Sequence, residues 1–171
     1  MLKLIALVMG CLVLSSVAWT QSKPPVTVAE ADAVLQKIDS TIRAVLKMKQ
    51  ADKKPYGPDR AVTRAEVVAK LDAMYESYKP HFQYTPRPFR LERGVAERFN
   101  PDEKTQKRIE KLVRWGFLAP VGPVVTGPKD TLSIPEFADA VGYFMSQTAA
   151  LTYFADPKWV PNLQPPGAIG G

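Results

Sequence analysis

Four stretches of the chain place apolar residues at steps of three and four, which is the spacing of one face of an α-helix. These stretches follow Thr27, Thr63, Asn100 and Ser133. Outside the proline-rich segments, no run of five or more residues alternates between apolar and polar positions, so any strands are expected to be short. The pattern therefore predicts an all-α fold with about four to five helices.

Each predicted helix is preceded by a helix-start signature, in which a short side chain with an oxygen atom is followed three residues later by glutamate. The first side chain can accept a hydrogen bond from a free N–H of the first turn, and the glutamate can accept one from the N–H of the cap residue. Pro101 and Pro135 fall in the first turn, where a missing N–H costs no helical hydrogen bond. Helices are therefore predicted to begin at four capping boxes, at residues 27–30, 63–66, 100–103 and 133–136.

The first residues of the chain have the three parts of a secretion signal. Lys3 is followed by an uncharged, mostly apolar run over residues 4–17, and small residues precede a cleavage site after Ala18. The run is shorter than the roughly 20 residues that a membrane-spanning helix needs. We therefore predict a signal peptide at residues 1–20 and a location outside the cell or in its envelope, in the periplasm or on the cell surface.

Cys11 is the only cysteine, and its fate depends on where this segment is cut. If the cut follows Ala18, Cys11 leaves with the signal and the remaining chain has no disulfide. The alternative is a lipoprotein processing site at residues 8–11, which would leave Cys11 lipidated. Only in that case do we expect the protein to be attached to a membrane.

The net charge of +6 indicates an acidic partner. An exported protein meets anionic envelope polymers and lipid headgroups rather than nucleic acid, and a charge that serves only solubility is the alternative. The only histidine, His81, has no serine or cysteine nucleophile pattern around it, which argues against a catalytic triad and a His-rich metal site. We predict no enzyme activity, no metal site and no cofactor.

An internal repeat is visible when residues 57–67 are placed over residues 127–137. The glycine, proline and glutamate positions are identical, and the apolar and hydroxyl positions match in kind. Each copy consists of a Gly-Pro turn, an apolar residue, a capping box and an amphipathic helix. Such self-similarity is typical of helical repeat proteins.

Residues 56–67, YGPDRAVTRAEV, resemble the most recognisable stretch of the S-layer homology (SLH) domain. This family consists of helical repeats by which bacterial surface proteins attach to the cell envelope. The second copy is degenerate, because Ile134 stands where the family has arginine, Pro135 replaces an alanine and Thr126 replaces an aromatic residue. The resemblance implies helix–loop–helix units at residues 26–79 and 101–154. A proline-rich connection at 80–100 would join them, and a flexible tail at 155–171 would follow.

The resemblance also implies a function. Family members commonly join three repeats into a unit that grips a negatively charged wall polysaccharide, so the chain is expected to bind cell-wall polysaccharide or peptidoglycan non-covalently. With only two copies visible, self-association could complete the site. The alternative is an exported structural or protein-interaction domain that keeps the fold without the sugar site, and the missing arginine at Ile134 favours it.

The candidate polysaccharide-binding residues are Arg64, Thr63, Trp115 and Lys129. In the family the arginine corresponding to Arg64 faces the groove that holds the anionic sugar, and the alternative is a solvated arginine in the first helical turn. Thr63 is explained by capping alone. Trp115 is either a core residue or a platform for stacking sugars. Residues 79–93 mix cations with aromatic rings, which suits either a polyanion surface or a proline-rich connection.

Overall fold

The computed structural model describes residues 24–92, 94–99, 102–127, 129–152 and 163–164. The predicted signal at residues 1–20 and Cys11 lie outside these residues. The described part is mostly helical, which confirms the all-α prediction. Its helices are α1 Val28–Val45, α2 Arg64–Tyr78, α3 Val95–Phe99, α4 Glu103–Arg114, α5 Pro123–Thr126 and α6 Ile134–Leu151. A 3₁₀ turn covers Lys79–His81, and two short strands, β1 Thr85–Pro86 and β2 Leu163–Gln164, pair antiparallel.

Three of the four predicted helix starts are confirmed. The caps of α1, α2 and α6 are Thr27, Thr63 and Ser133, and in each case the glutamate three residues later accepts a hydrogen bond from the backbone N–H of the cap. The start predicted at Asn100 is wrong, because α4 begins at Glu103 with Asp102 as its cap. The carboxylate of Asp102 accepts from the N–H groups of both Lys104 and Thr105.

The C-terminal end of α4 is fixed by a glycine turn. Gly116 has a φ of +76°, in the left-handed region that glycine adopts at low cost. Its N–H donates to the carbonyl of Val113 at 2.9 Å, and the N–H of Phe117 donates to the carbonyl of Leu112 at 2.7 Å. These two bonds form a Schellman motif, which turns the chain so that Phe117 enters the core.

A single hydrophobic core joins α1, α2, α4 and α6. Aromatic rings form much of its centre, with Phe117 lying 4.9 Å from Tyr75 and 5.2 Å from Phe144 between ring centroids. Tyr78 is fully buried, and its hydroxyl donates to Asp39 of α1 at 2.6 Å. Burial, followed by this hydrogen bond, raises the pKa of Tyr78. The core holds the N-terminal ends of α1, α2 and α6 in fixed positions.

The connection between α2 and α4 is folded onto the helices. The N–H of Gln83 donates to the carbonyl of Leu151 at 2.8 Å, and the N–H of Phe89 donates to the carbonyl of Arg114 at 2.7 Å. Ala96 of α3 is buried. The described residues between 80 and 100 therefore include part of the 3₁₀ turn, strand β1 and helix α3. In the expected tail, Leu163–Gln164 forms β2 against Thr85–Pro86, and the neighbouring tail residues lie outside the described part of the chain.

Candidate functional site

The backbone segments that precede α1, α2 and α6 meet in a closed ring, which we call the cap junction (residues 24–28, 60–64 and 130–134). The first residue of each helix donates its N–H to a carbonyl of another segment, three residues before that segment's cap. The bonds run from Val28 to Arg60 at 2.8 Å, from Arg64 to Asp130 at 2.7 Å and from Ile134 to Pro24 at 3.3 Å. The three segments therefore follow one another cyclically, as in a pseudo-threefold arrangement.

The apolar residue before each cap lies at the centre of this ring. Val26, Val62 and Leu132 are all buried. The N–H of Val26 donates to the carbonyl of Leu132, and the N–H of Val62 donates to the carbonyl of Val26, both at 2.9 Å. The cap junction thus has its own small apolar centre and its own backbone hydrogen bonds.

The segment around Thr27 is a third equivalent copy that comparison of residues 57–67 with 127–137 does not reveal. A signal for it is nevertheless present in the sequence. Residues 26–30 read Val-Thr-Val-Ala-Glu and residues 62–66 read Val-Thr-Arg-Ala-Glu, so only the central position differs. The Gly-Pro turn is absent before the first copy, since Pro24 and Pro25 precede it.

Arg64 lies inside the cap junction. The residue is 4% exposed, so it is not a solvated first-turn arginine. Its Nη2 atom lies 3.6 Å from the Oδ1 atom of Asp130, whose side chain is 88% exposed. A buried guanidinium therefore faces a carboxylate that stands in solvent.

Thr63 and its glutamate partner are occupied by capping. The Oγ1 atom of Thr63 accepts from the N–H of Glu66 at 3.2 Å and donates to its carboxylate at 3.0 Å. The guanidinium of Arg60 also binds this carboxylate, at 2.5 and 3.1 Å. The hydrogen bond from Arg60 is the largest reason why the pKa of Glu66 is lowered to about 2, and the bonds from Thr63 add to it.

Lys129 is exposed and directly precedes Asp130 in the chain. Since Asp130 contacts Arg64 through both its carbonyl and its carboxylate, the structure brings Thr63, Arg64 and the segment of Lys129 to the same junction. Three of the four candidate residues therefore lie near the N-terminus of α2, with Arg64 buried, Thr63 half-buried and Lys129 exposed.

Trp115, the fourth candidate residue, lies elsewhere. It is half-buried at the end of α4, its carbonyl accepts from Nε2 of Gln147 at 2.9 Å, and the Arg114 guanidinium lies 5.4 Å from its ring. Trp115 and Tyr75 line the same pocket. Tyr75 lies on the same helix as Arg64, about 16 Å from it along the axis of α2. The structure therefore separates Trp115 from the cap junction.

A second, larger cleft of about 670 Å³ lies on another side of Trp115, between α4 and the connection. Its described lining mixes both signs of charge, with Arg90, Lys107 and Arg114 alongside Glu97 and Glu110. Lys107 is already paired with Glu103 at 2.6 Å. Because both signs of charge are present, the cleft does not clearly favour either an anionic or a cationic ligand.

Metal-binding groups do not converge within the described residues. No three His, Cys, Asp or Glu side chains lie close enough there to hold a metal ion. His81 is exposed in the 3₁₀ turn, and Asp102 caps α4. None of the helices described is both long and apolar enough to cross a membrane.

Comparison of the chain with protein-family models, with curated proteins and with solved structures found no match. Function is therefore inferred from the side chains of the chain and from their geometry. Two regions of the described residues hold the candidate side chains, the cap junction and the pocket beside Trp115.

Proposed function

We propose that this chain is an exported, non-catalytic helical module, similar to the S-layer homology domain, that binds an anionic polymer of the cell envelope non-covalently. Cell-wall polysaccharide and peptidoglycan both carry suitable acidic groups. The observation that carries the proposal is the ion pair between Arg64 and Asp130, in which the guanidinium is buried and the carboxylate is 88% exposed. A carboxylate of the polymer can take the place of the Asp130 side chain.

The surroundings of Arg64 favour a negatively charged ligand. The N-terminal ends of α1, α2 and α6 converge at the cap junction, and each combines the positive end of a helix dipole with the carboxylate of its capping glutamate. Lys129 adds an exposed cation beside them. The planar guanidinium of Arg64 can bind a carboxylate through two parallel hydrogen bonds, and burial holds it in one orientation.

The cap junction also bears on self-association. Three equivalent segments already close the ring within one chain, so the site does not need a second copy to supply a missing segment. We therefore propose that one chain binds the polymer by itself.

A second candidate function is an exported structural or protein-interaction domain without polymer binding. The 4% exposure of Arg64 favours it, because a buried arginine that is bonded to Asp130 can serve simply to hold two segments together. The two candidates differ in what the exposed cation does. In a purely structural junction the exposed charge of Lys129 has no role, whereas in a polymer-binding site it contacts an acidic group of the ligand.

Co-sedimentation of the mature protein with purified cell-wall sacculi tests the proposal. We expect the wild type to sediment at low salt and to be released as salt rises, because screening weakens contacts between exposed charges. Lys129→Gln should weaken binding about two- to fivefold, as expected for one exposed ion pair. The matched control is Lys104→Gln, which removes an exposed lysine at the start of α4. Failure of the wild type to sediment at any salt concentration favours the structural candidate.

A further inference from the structure

An aromatic pocket of about 280 Å³ lies between the C-terminal end of α2 and the connection, away from the cap junction. Six of its described lining residues form its base and rim: Tyr75, Lys79, Phe82, Tyr84, Trp115 and Phe117. Neither Asp nor Glu occurs among the described residues that line it. The pocket is therefore aromatic on most sides and carries one cation.

The rings of the pocket differ in exposure. Tyr75 and Phe117 are buried and form the base, with Phe82 stacked 5.6 Å from Phe117 between centroids. Phe82, Tyr84 and Trp115 are half-buried and form the rim. Partly exposed rings around a concave surface offer faces on which the C–H groups of a ligand can pack.

The rim is held in place by backbone hydrogen bonds. The N–H of Tyr84 donates to the carbonyl of Leu151 at 3.3 Å, next to the 2.8 Å bond from Gln83 to the same oxygen. Trp115 is fixed by the turn at Gly116 and by the bond from Gln147 to its carbonyl. A ligand would therefore meet a largely preformed surface, which reduces the entropy lost on binding.

Lys79 is the cation that a ligand would meet. Its Nζ atom lies 5.9 Å from the Tyr75 ring centre, and it pairs with no carboxylate among the described residues. The Nζ atom of Lys111 lies 5.6 Å from the centre of the same Tyr75 ring, but it is paired with the carboxylates of Asp72 and Glu76, both at 2.5 Å. Only one of these two lysines is therefore available to an acidic ligand.

We propose that this pocket binds one sugar ring that carries a carboxylate, with the ring packed against the half-buried aromatic side chains and the carboxylate at Lys79. The volume is slightly below the range of roughly 300–1,000 Å³ that is typical of pockets for drug-sized ligands, so a single ring fits better than a longer chain. The proposal rests on the proposed function in one respect, since the sugar would be an acidic unit of the envelope polymer.

Titration with methyl β-glucuronide, followed by NMR of the tryptophan indole N–H signals, tests this site. We expect the Trp115 signal to shift with the glucuronide and to shift less with neutral methyl β-glucoside at equal concentration. Lys79→Gln should weaken glucuronide binding about two- to fivefold, and Trp115→Leu should weaken it about two- to tenfold. Lys104→Gln is the matched control and should leave binding unchanged.

A third probe, cyclohexanecarboxylate, separates a sugar site from a general site for apolar acids. Binding of this acid as strong as that of the glucuronide would overturn the assignment to a sugar, and so would equal binding of the glucoside. Thermal unfolding of each variant shows whether it is folded. If the glucuronide does not bind, while sacculi still bind the wild type and bind Lys129→Gln more weakly, only the inference about the pocket fails.

Discussion

Arg64 contacts Asp130 twice, through its backbone N–H to the Asp130 carbonyl at 2.7 Å and through its guanidinium to the Asp130 carboxylate at 3.6 Å. The first contact closes one side of the cap junction and therefore supports the fold. The second joins a buried cation to an exposed anion, and the proposed binding of an acidic polymer rests on this contact. The same residue pair thus links the architecture of the chain to its proposed function.

Glycine at position 116 should be required for stability, whereas glycine at 142 should not. Gly116→Ala forces an L-residue to a φ of +76° and brings its Cβ within 3.0 Å of the Gln147 side chain. We expect a loss of about 1–2 kcal/mol in the free energy of unfolding. Gly142→Ala is the matched control: it lies in α6 with no atom near its Cβ position, so we expect a gain of about 0.5–1 kcal/mol. Urea denaturation measures both, and equal effects would contradict the account of the α4 turn.

The centre of the cap junction should contribute strongly to stability. Leu132 is 1% exposed in the segment before α6, and Leu132→Ala should lower the free energy of unfolding by about 2–5 kcal/mol. Val121→Ala is the control, because Val121 is 77% exposed and its loss should change stability by less than about 0.5 kcal/mol. A small effect at Leu132 would show that the three segments do not pack together in solution.

The hydrogen bond from Tyr78 to Asp39 should stabilise the contact between α1 and α2. Tyr78→Phe keeps the buried ring but removes the hydroxyl that donates at 2.6 Å, and we expect a loss of about 1–2 kcal/mol. Tyr143→Phe is the matched control, since Tyr143 is 40% exposed and its hydroxyl forms no hydrogen bond within the described part of the chain. In thermal or urea unfolding, Tyr78→Phe should therefore be less stable than the wild type, whereas Tyr143→Phe should have nearly the stability of the wild type.

The ion pair between Arg60 and Glu66 predicts a pH dependence of stability. Arg60 holds the pKa of Glu66 at about 2 in the folded chain, below its ordinary value of 4.5. Because the folded pKa is the lower one, the stabilisation is fully present above pH 4.5 and is lost as the pH falls through about 2. Glu66→Gln should therefore cost about 1–2 kcal/mol near neutral pH, after allowance for solvent screening, and progressively less in acid.

Urea denaturation of Glu66→Gln and the wild type across this pH range measures the effect. Arg60→Gln is the companion variant, and it should remove most of the same pH dependence because Arg60 is the largest cause of the lowered pKa. A constant difference between wild type and Glu66→Gln over the whole range would show that the ion pair does not form.

Local sequence patterns predicted most of the helical structure. The capping boxes at Thr27, Thr63 and Ser133 could be predicted from the sequence because a cap residue and its glutamate interact within one helical turn. The start at Asn100 was misplaced because two candidate caps, Asn100 and Asp102, stand two residues apart. Asp102 caps the helix, with two oxygens that accept from two N–H groups.

The cap junction could not be predicted in the same way. Its hydrogen bonds join backbone carbonyls of Arg60, Asp130 and Pro24 to helix N–H groups, and every residue has a carbonyl whatever its side chain. The burial of Arg64 and the distance of Trp115 from it depend on how α2 and α4 pack, which no local pattern records. The candidate residues were therefore identified individually, whereas their division into two regions required the structure.

The most direct test of polymer binding at Arg64 is the affinity of Asp130→Ala for cell-wall sacculi, measured by co-sedimentation at low salt beside Asp52→Ala as an exposed aspartate control. If the Asp130 carboxylate occupies the place of the ligand, its removal should strengthen binding by about two- to fivefold, while Asp52→Ala changes it little. If a folded Asp130→Ala variant binds no better than the Asp52→Ala control, Arg64 does not receive the polymer and the cap junction is purely structural.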